Sequence, residues 1–460
     1  MKIGIVGAGI LGLGFGHRLS RLGHSVSIFE AGAEAGGLAC SHDYGRFRWD
    51  RFYHCILPQD TALCGLLNEL GLGGELRWTR TGTGYWGGGR FHDMSGNRDF
   101  LHFPLLSLVD KARLGAAVLW ATRVADPWAL YRITAEEWLI RMCGRRGYEV
   151  FWRPLLKAKF GPFYDCVAAV FIWATLKRLT GARSSATARE KLGYVAGGGY
   201  ARIVARLDEA LRARGATVRL SSPVTAIAEE PGGGCAVSFR DRAGGHRESF
   251  DQVFFTGPTG LAAKVVAPSL LAHVERTARD YPTSEAYLGV ACVVLALTRP
   301  LANYYVLNIG DDRIRLTGVI EMTNLIDRRA ETDGLHLVYL PRYLAADDPR
   351  FDAPDEELLR EAMDEGLLRL FPDLLPSQIA YSGVHRARFV QPLPLVRAGG
   401  AGEARLPSLA HPFQVLNTSM LSCATLNNNE VVSMVDRFVE NNRGALAAVG
   451  RERAAAPRNS

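Results

Sequence analysis

Lysine is scarce in this chain: seven of its 54 basic residues are lysines, and none follows Lys264. The positive charges are therefore mostly arginines, and they are scattered. No basic block and no stripe of cations interleaved with aromatics occurs, which disfavours nucleic-acid binding. The formal net charge of +7 is a mild excess that suits anionic ligands or reflects composition alone. None of the eight cysteines (40, 55, 64, 143, 166, 235, 292 and 423) forms a CxxC pair, so zinc-ribbon and dithiol-redox spacings are missing. Scattered single cysteines fit a reducing, cytoplasmic setting. No metal-ligand spacing and no Ser-His-Asp set is found, and no metal is expected. The first residues open directly into a strand, without a charged segment and cleavable apolar run. The longest apolar runs, 166–176 and 286–297, are too short to span a bilayer. A soluble protein is expected, with peripheral membrane contact left open. No internal repeat is evident. Arginine in place of lysine, with abundant alanine and glycine, suggests a GC-rich bacterial genome.

What is present is length and ordinary globular composition. With 460 residues, 48% hydrophobic and 22% charged, the chain exceeds one simple core, and two domains are expected. Residues 2–6 read as a buried strand, 10–22 as a helix capped by Gly23, and 25–29 as the next strand, a compact βαβ unit. Residues 103–150 and the Trp-rich stretch 128–176 read as mainly helical, with Trp138, Trp152, Tyr164 and Trp173 as core. Residues 200–214 form an amphipathic helix stopped by Gly215. Strands are expected at 217–220, 223–229, 235–240 and 250–256, with turns at 231–234 and 241–245. Residues 287–344 are rich in β-formers, 355–370 are helical, and 429–441 form a last helix. The Ala/Arg-rich segment 442–460 is expected to be a disordered tail. The chain leaves and re-enters its α/β pattern, which indicates interleaved domains.

Gly7-Ala8-Gly9-Ile10-Leu11-Gly12 is a GxGxxG set between a strand and a helix, and Glu30 closes the second strand. Gly7 permits the tight turn, Gly9 admits a pyrophosphate against the backbone, and Gly12 lets helix and strand pack closely. The helix N-terminus offers free N–H groups to phosphate. Glu30 lies where an acid bonds ribose hydroxyls, which disfavours a 2′-phosphate and hence NADP.

The residues after Glu30-Ala31 continue as Gly36-Gly37-Leu38-Ala39. Here the chain resembles the flavoprotein superfamily of amine oxidases, protoporphyrinogen oxidases and phytoene desaturases, in which a double glycine runs along the pyrophosphate. Leu38 stands where an Arg or Lys is often found. Residues 136–161 resemble the helical cap of desaturase-like members, and 190–227 resemble the family's GG-helix-strand block, with Val224 at the position whose backbone meets the adenine. Residues 253–258 resemble the strand that ends near the cofactor, with Thr256 in contact. In 415–431, Asn417 stands about where the relatives' Asp meets the ribityl phosphate region. Asn427, Asn429 and Val431 stand at the helix start that meets the isoalloxazine.

The resemblance implies FAD as cofactor and an α/β fold: a Rossmann-like FAD-binding domain of the GR2 type, interleaved with a substrate domain of mixed β-sheet plus helices. The divisions expected are 1–75, 190–260 and 385–441 for FAD, and 76–189 and 261–384 for substrate. Tyr53 and His54 fall on a loop that passes close to the flavin in this family, and His54 is a candidate proton carrier. Tyr305, beside Tyr304 and Asn308 in a β-rich stretch, and Arg388, beside Arg386, are candidate substrate-side residues. Cys55 and Cys423 are the candidates for covalent flavin attachment. The expected function is an oxidase, desaturase or dehydrogenase that removes a hydride from a small organic substrate, lipophilic or amine, with O2 or another electron acceptor. The alternatives are a redox-neutral flavoenzyme resembling UDP-galactopyranose mutase and a non-enzymatic FAD-binding scaffold.

Overall fold

The computed structural model describes residues 1–123, 127–181, 189–279, 286–396, 406–421 and 425–447. Two sheets organise it. The first has five parallel strands in the order Phe413–Val415, Gln252–Phe255, Lys2–Val6, Ser25–Phe29 and Thr217–Arg219. Its central strand reads KIGIV because a strand covered on both faces needs apolar side chains on both. Helices Ile10–Arg21, Tyr200–Arg212 and Asn428–Asn441 pack together with it in one core. A second core joins it to a three-stranded antiparallel sheet, Val224–Glu229, Cys235–Asp241 and Gly244–Phe250. The last of these strands falls where a turn was expected through 245. Its polar run Gly245-His246-Arg247-Glu248 reads as loop because it is an outer strand with largely exposed side chains.

The second sheet has seven strands in the order Ile379–Pro392, Tyr287–Leu297, His336–Ala345, Gly318–Glu321, Val306–Ile309, Thr83–Gly87 and Arg90–Asp93. The apolar run at 286–297 is its strand Tyr287–Leu297, buried at every residue between two antiparallel neighbours. The run at 166–176 enters helix Val170–Gly181 of a helical layer, where Trp138, Trp152 and Trp173 are buried and Tyr164 packs at the edge. No helix among the described residues is long and apolar enough to cross a membrane.

A two-stranded ribbon, Leu76–Thr81 with Glu190–Val195, marks where the chain passes out to the helical layer and returns. Three expected boundaries meet structure that crosses them. Position 385 falls inside strand Ile379–Pro392 of the seven-stranded sheet. Position 260 precedes helix Pro268–Arg279, which packs on Val224–Glu229 and Phe413–Val415 of the dinucleotide side. The tail expected from 442 begins with ordered chain, since Asn442 and Leu446 are buried. Residues 448–460 lie outside the described residues.

Three phenylalanines tie the first helix, the central sheet and the last helix together. Phe15, Phe254 and Phe438 meet edge-to-face at centroid distances of 4.8, 5.2 and 5.6 Å, each pair adding about 0.5–1.5 kcal/mol beyond burial. His17 sits on the same first helix, only 3% exposed. Burial, then Arg18 and Arg21, lower its pKa from 6.5 to about 4. A depressed pKa means the folded state keeps this ring neutral while the unfolded chain protonates it. Its contribution to stability is present above about pH 6.5 and is lost as pH falls toward 4. The melting temperature should therefore drop between pH 7 and pH 4.5, and His17→Leu should flatten part of that drop. An identical acid-side slope in the variant would contradict this role.

Candidate cofactor and substrate cavity

At the carboxyl edge of the parallel sheet, where open α/β sheets bind ligands, a cavity of about 490 Å³ opens between the two sheets. One wall is the glycine loop. Gly7 has φ +107°, a region that glycine enters without steric cost. A Cβ on Gly12 would lie 1.9 Å from the Gly7 carbonyl oxygen, so only hydrogen there lets the helix start this close. A Cβ on Gly9 would meet nothing within 4 Å; it would occupy the space that the loop leaves free for a phosphate. Helix Ile10–Arg21 has no side-chain cap and no acid in its first turn, so its leading N–H groups and positive end remain for an anion.

The double glycine closes over this loop. The Gly36 N–H donates to the Ala8 carbonyl at 2.8 Å, and Gly36 and Gly37 take φ +120° and +59°. Glu30 stands at the loop's edge. Its carboxylate accepts from the N–H of Ala8 at 2.9 Å and of Gly32 at 2.8 Å. A second helix, Asn428–Asn441, also starts at the cavity. Its cap Asn427 accepts from the Glu430 N–H at 3.0 Å, and Asn427, Asn428 and Val431 form part of the lining. An uncapped helix start beside open glycine, an acid at the strand end and a second helix start further along fit the pyrophosphate, ribose and ring of FAD in turn.

Twelve of the expected cofactor residues line this cavity: Gly7, Gly9, Ile10, Leu11, Gly36, Leu38, Ala39, Tyr53, His54, Thr256, Asn427 and Val431. Ala8, Gly12, Glu30 and Gly37 shape the loop from behind. Ala31 is exposed beside Glu30. Val224 opens the outer sheet, two residues after Ser222, whose N–H donates to the Glu30 carbonyl at 2.7 Å; it is not in the cavity wall.

Five expectations are redirected. Asn417 is 1% exposed, and its amide is used internally: Nδ2 donates to the Gly257 carbonyl and Thr259 Oγ1, each at 3.0 Å, and Oδ1 accepts from the Ser419 N–H. Asn429 turns away and accepts from the N–H groups of Ala62 and Leu63 at 3.0 and 3.2 Å, capping helix Thr61–Glu69. Tyr305 is buried behind the wall against Cys55, Tyr200 and Asp50. Arg388 pairs with Asp352, donates to the Ala346 carbonyl at 3.2 Å and stacks over Phe351, which fastens strand Ile379–Pro392 to the 349–352 turn. Cys55 does not line the cavity, and burial pushes its thiol up to about 11. Cys423 lies outside the described residues.

The opposite wall is aromatic. Tyr53 and Tyr343 face it with hydroxyls 3.0 Å apart, joined by Tyr287, Phe389 and Lys159. His54 Nδ1 lies 3.4 Å from the Asp50 carboxylate, and its ring packs on Tyr200 at 4.5 Å. Asp50 is 1% exposed and accepts from the Tyr200 N–H at 2.9 Å, at the start of helix Tyr200–Arg212. Burial pushes its carboxyl up, against the opposing pull of His54 and the backbone N–H groups. Sequence reasoning missed Asp50, Lys159, Tyr287 and Tyr343. For Asp50 a signal existed, its i,i+4 spacing to His54. A lysine on a helix reads as solvent-facing, and tyrosines in strands read as core.

A parallel sheet with an open glycine loop at its carboxyl edge, facing an aromatic wall on a second sheet, defines a dinucleotide-dependent redox protein. The chain belongs to the flavin-containing amine oxidoreductase family, whose profile it matches over residues 12–416. It is an FAD-dependent oxidoreductase that takes a small-molecule substrate and passes electrons to an acceptor. No curated protein matches its sequence. Among solved structures, a candidate protoporphyrinogen oxidase from Exiguobacterium sp. 255-15 has a similar fold at TM-score 0.70 and 17% identity, with 96% of this chain and 98% of that one covered. Putrescine oxidase bound to putrescine gives 0.69 and 17% over 96% and 98%. Reduced UDP-galactopyranose mutase gives 0.68 and 17% over 98% of both.

The two loop glycines should fail differently. Gly9→Val should fold, melting within a few degrees of wild type, yet purify with little FAD. Gly12→Val should lower the melting temperature as well, because its side chain collides with backbone. Normal FAD content in Gly9→Val, read from the visible spectrum, would contradict the loop assignment.

Proposed function

We propose that the protein oxidises a small organic molecule held between the aromatic wall and the bound flavin, removing the equivalent of a hydride from it. The observation that supports this most is one continuous cavity lined both by the glycine loop and by Tyr53, Tyr343, Tyr287 and Phe389. FAD supplies a two-electron acceptor when bound. The tyrosines and Phe389 hold an apolar or aromatic body and keep water from it. The Asp50 carboxylate lies 3.4 Å from His54 Nδ1, which leaves Nε2 as the atom able to accept a proton from an acidic substrate group. Of the three catalytic candidates, His54 is retained, whereas Tyr305 and Arg388 support the wall from behind. Exposed Leu101, Leu108, Val109, Leu119 and Trp120 give peripheral membrane contact a surface if the substrate is lipophilic.

The test is anaerobic mixing of the yellow protein with candidate substrates. Bleaching of the flavin band supports oxidation. Turnover only after dithionite reduction, with no net bleaching, would replace it with a redox-neutral isomerisation. In the first case Asp50→Asn and His54→Gln should keep FAD but slow bleaching by roughly a hundredfold, with a changed pH profile. Unchanged rates in both variants would remove the dyad from the reaction.

A further inference from the structure

One feature of the aromatic wall is at odds with an amine substrate. Lys159, one of the chain's seven lysines, lies on helix Arg153–Phe160 and reaches the cavity. Its Nζ sits 3.6 Å from the centroid of the Tyr343 ring. Its neighbour Lys157 pairs with Asp312 at 2.9 Å. Among the described residues, Lys159 has no ion pair and no hydrogen-bond acceptor. Among the described residues, the cavity lining includes no Asp or Glu. A tyrosine face attracts an ammonium but does not neutralise it, and its three N–H donors remain available.

We infer that Lys159 selects substrates with an anionic head, a carboxylate on an apolar or aromatic body, and rejects protonated amines. The inference rests on the oxidoreductase reading of this cavity and deepens it. A protonated amine placed against the tyrosines would meet the Lys159 charge and find no carboxylate counterion among the described lining residues. A carboxylate there would gain a charge-assisted hydrogen bond, while its body packs on Tyr53, Tyr343 and Phe389.

The probes are phenylacetate and benzylamine, which share a benzyl group and differ in the sign of the head. Binding to the purified holoprotein is followed by calorimetry and by ligand-induced melting shifts, with FAD content read separately from the visible spectrum. Wild type should bind phenylacetate and not benzylamine. Lys159→Met should weaken phenylacetate by roughly ten- to a hundredfold, Lys159→Glu should reverse the preference, and Lys157→Met should behave as wild type. Phenyl phosphate separates head types: binding as tight as phenylacetate keeps the anion but widens the class. Preference for benzylamine in wild type, or no binding of phenylacetate, would overturn the inference. So would unchanged affinity in Lys159→Met, or loss of FAD from that variant, which would assign the ammonium to the cofactor. Wild type without flavin bands would defeat the cofactor reading by itself, and the calorimetric arms would still decide the role of Lys159.

Discussion

The first helix begins hard against the turn that ends the first strand, and the cofactor side is built outward from that contact. With hydrogen as its side chain, Gly12 lets the helix begin against the Gly7 carbonyl, and Gly9 and the first N–H groups then face open space. Everything a dinucleotide needs is set from that point. The double glycine folds over the loop, and Glu30 braces it through Ala8 and Gly32. Phe15, further along the same helix, carries the position into the core through Phe254 and Phe438. The last helix is held in this way, and its N-terminus becomes the second edge of the cavity.

The second sheet contributes the substrate wall because the chain passes between layers and returns. Buried carboxylates hold the junction together. Asp50 accepts from the start of helix Tyr200–Arg212, and Glu331 accepts from the N–H groups of Gly197 and Gly198 at 2.9 and 3.1 Å. Asp60 receives both terminal nitrogens of Arg178 at 2.9 and 3.1 Å. Each carboxylate binds elements distant in sequence, so the geometry between glycine loop and aromatic wall is set by buried charge as well as apolar packing. Asp50 shows how these roles merge: the carboxylate that holds a helix start also lies 3.4 Å from His54 Nδ1.

Much of the cofactor side was legible in the sequence, since its requirements are local. The βαβ unit, the glycine turn and the acid at the strand end are specified within some 40 residues by period and turn chemistry, and most of the expected residues line the cavity. The Asn-rich C-terminal segment was legible only in part. Asparagine side chains cap whatever N–H groups lie nearest, and tertiary contacts alone decide that Asn427 caps its own helix while Asn429 caps another. The substrate side was scarcely legible. Arg388 and Tyr305 had suitable chemistry, but their partners Asp352 and Cys55 come from other parts of the chain. Lys159 and Tyr343 meet across helix and sheet, a pairing with no trace in local spacing. The outer strand Gly244–Phe250 was missed because its polar edge has the composition of a loop.

FAD in this cavity, against the glycine loop, is what the geometry predicts. The most direct test is the visible spectrum of the purified protein, taken before and after heat denaturation and removal of the precipitate. Flavin bands, near one FAD per chain, are predicted. A colourless protein that FAD cannot reconstitute would contradict the assignment of the glycine loop.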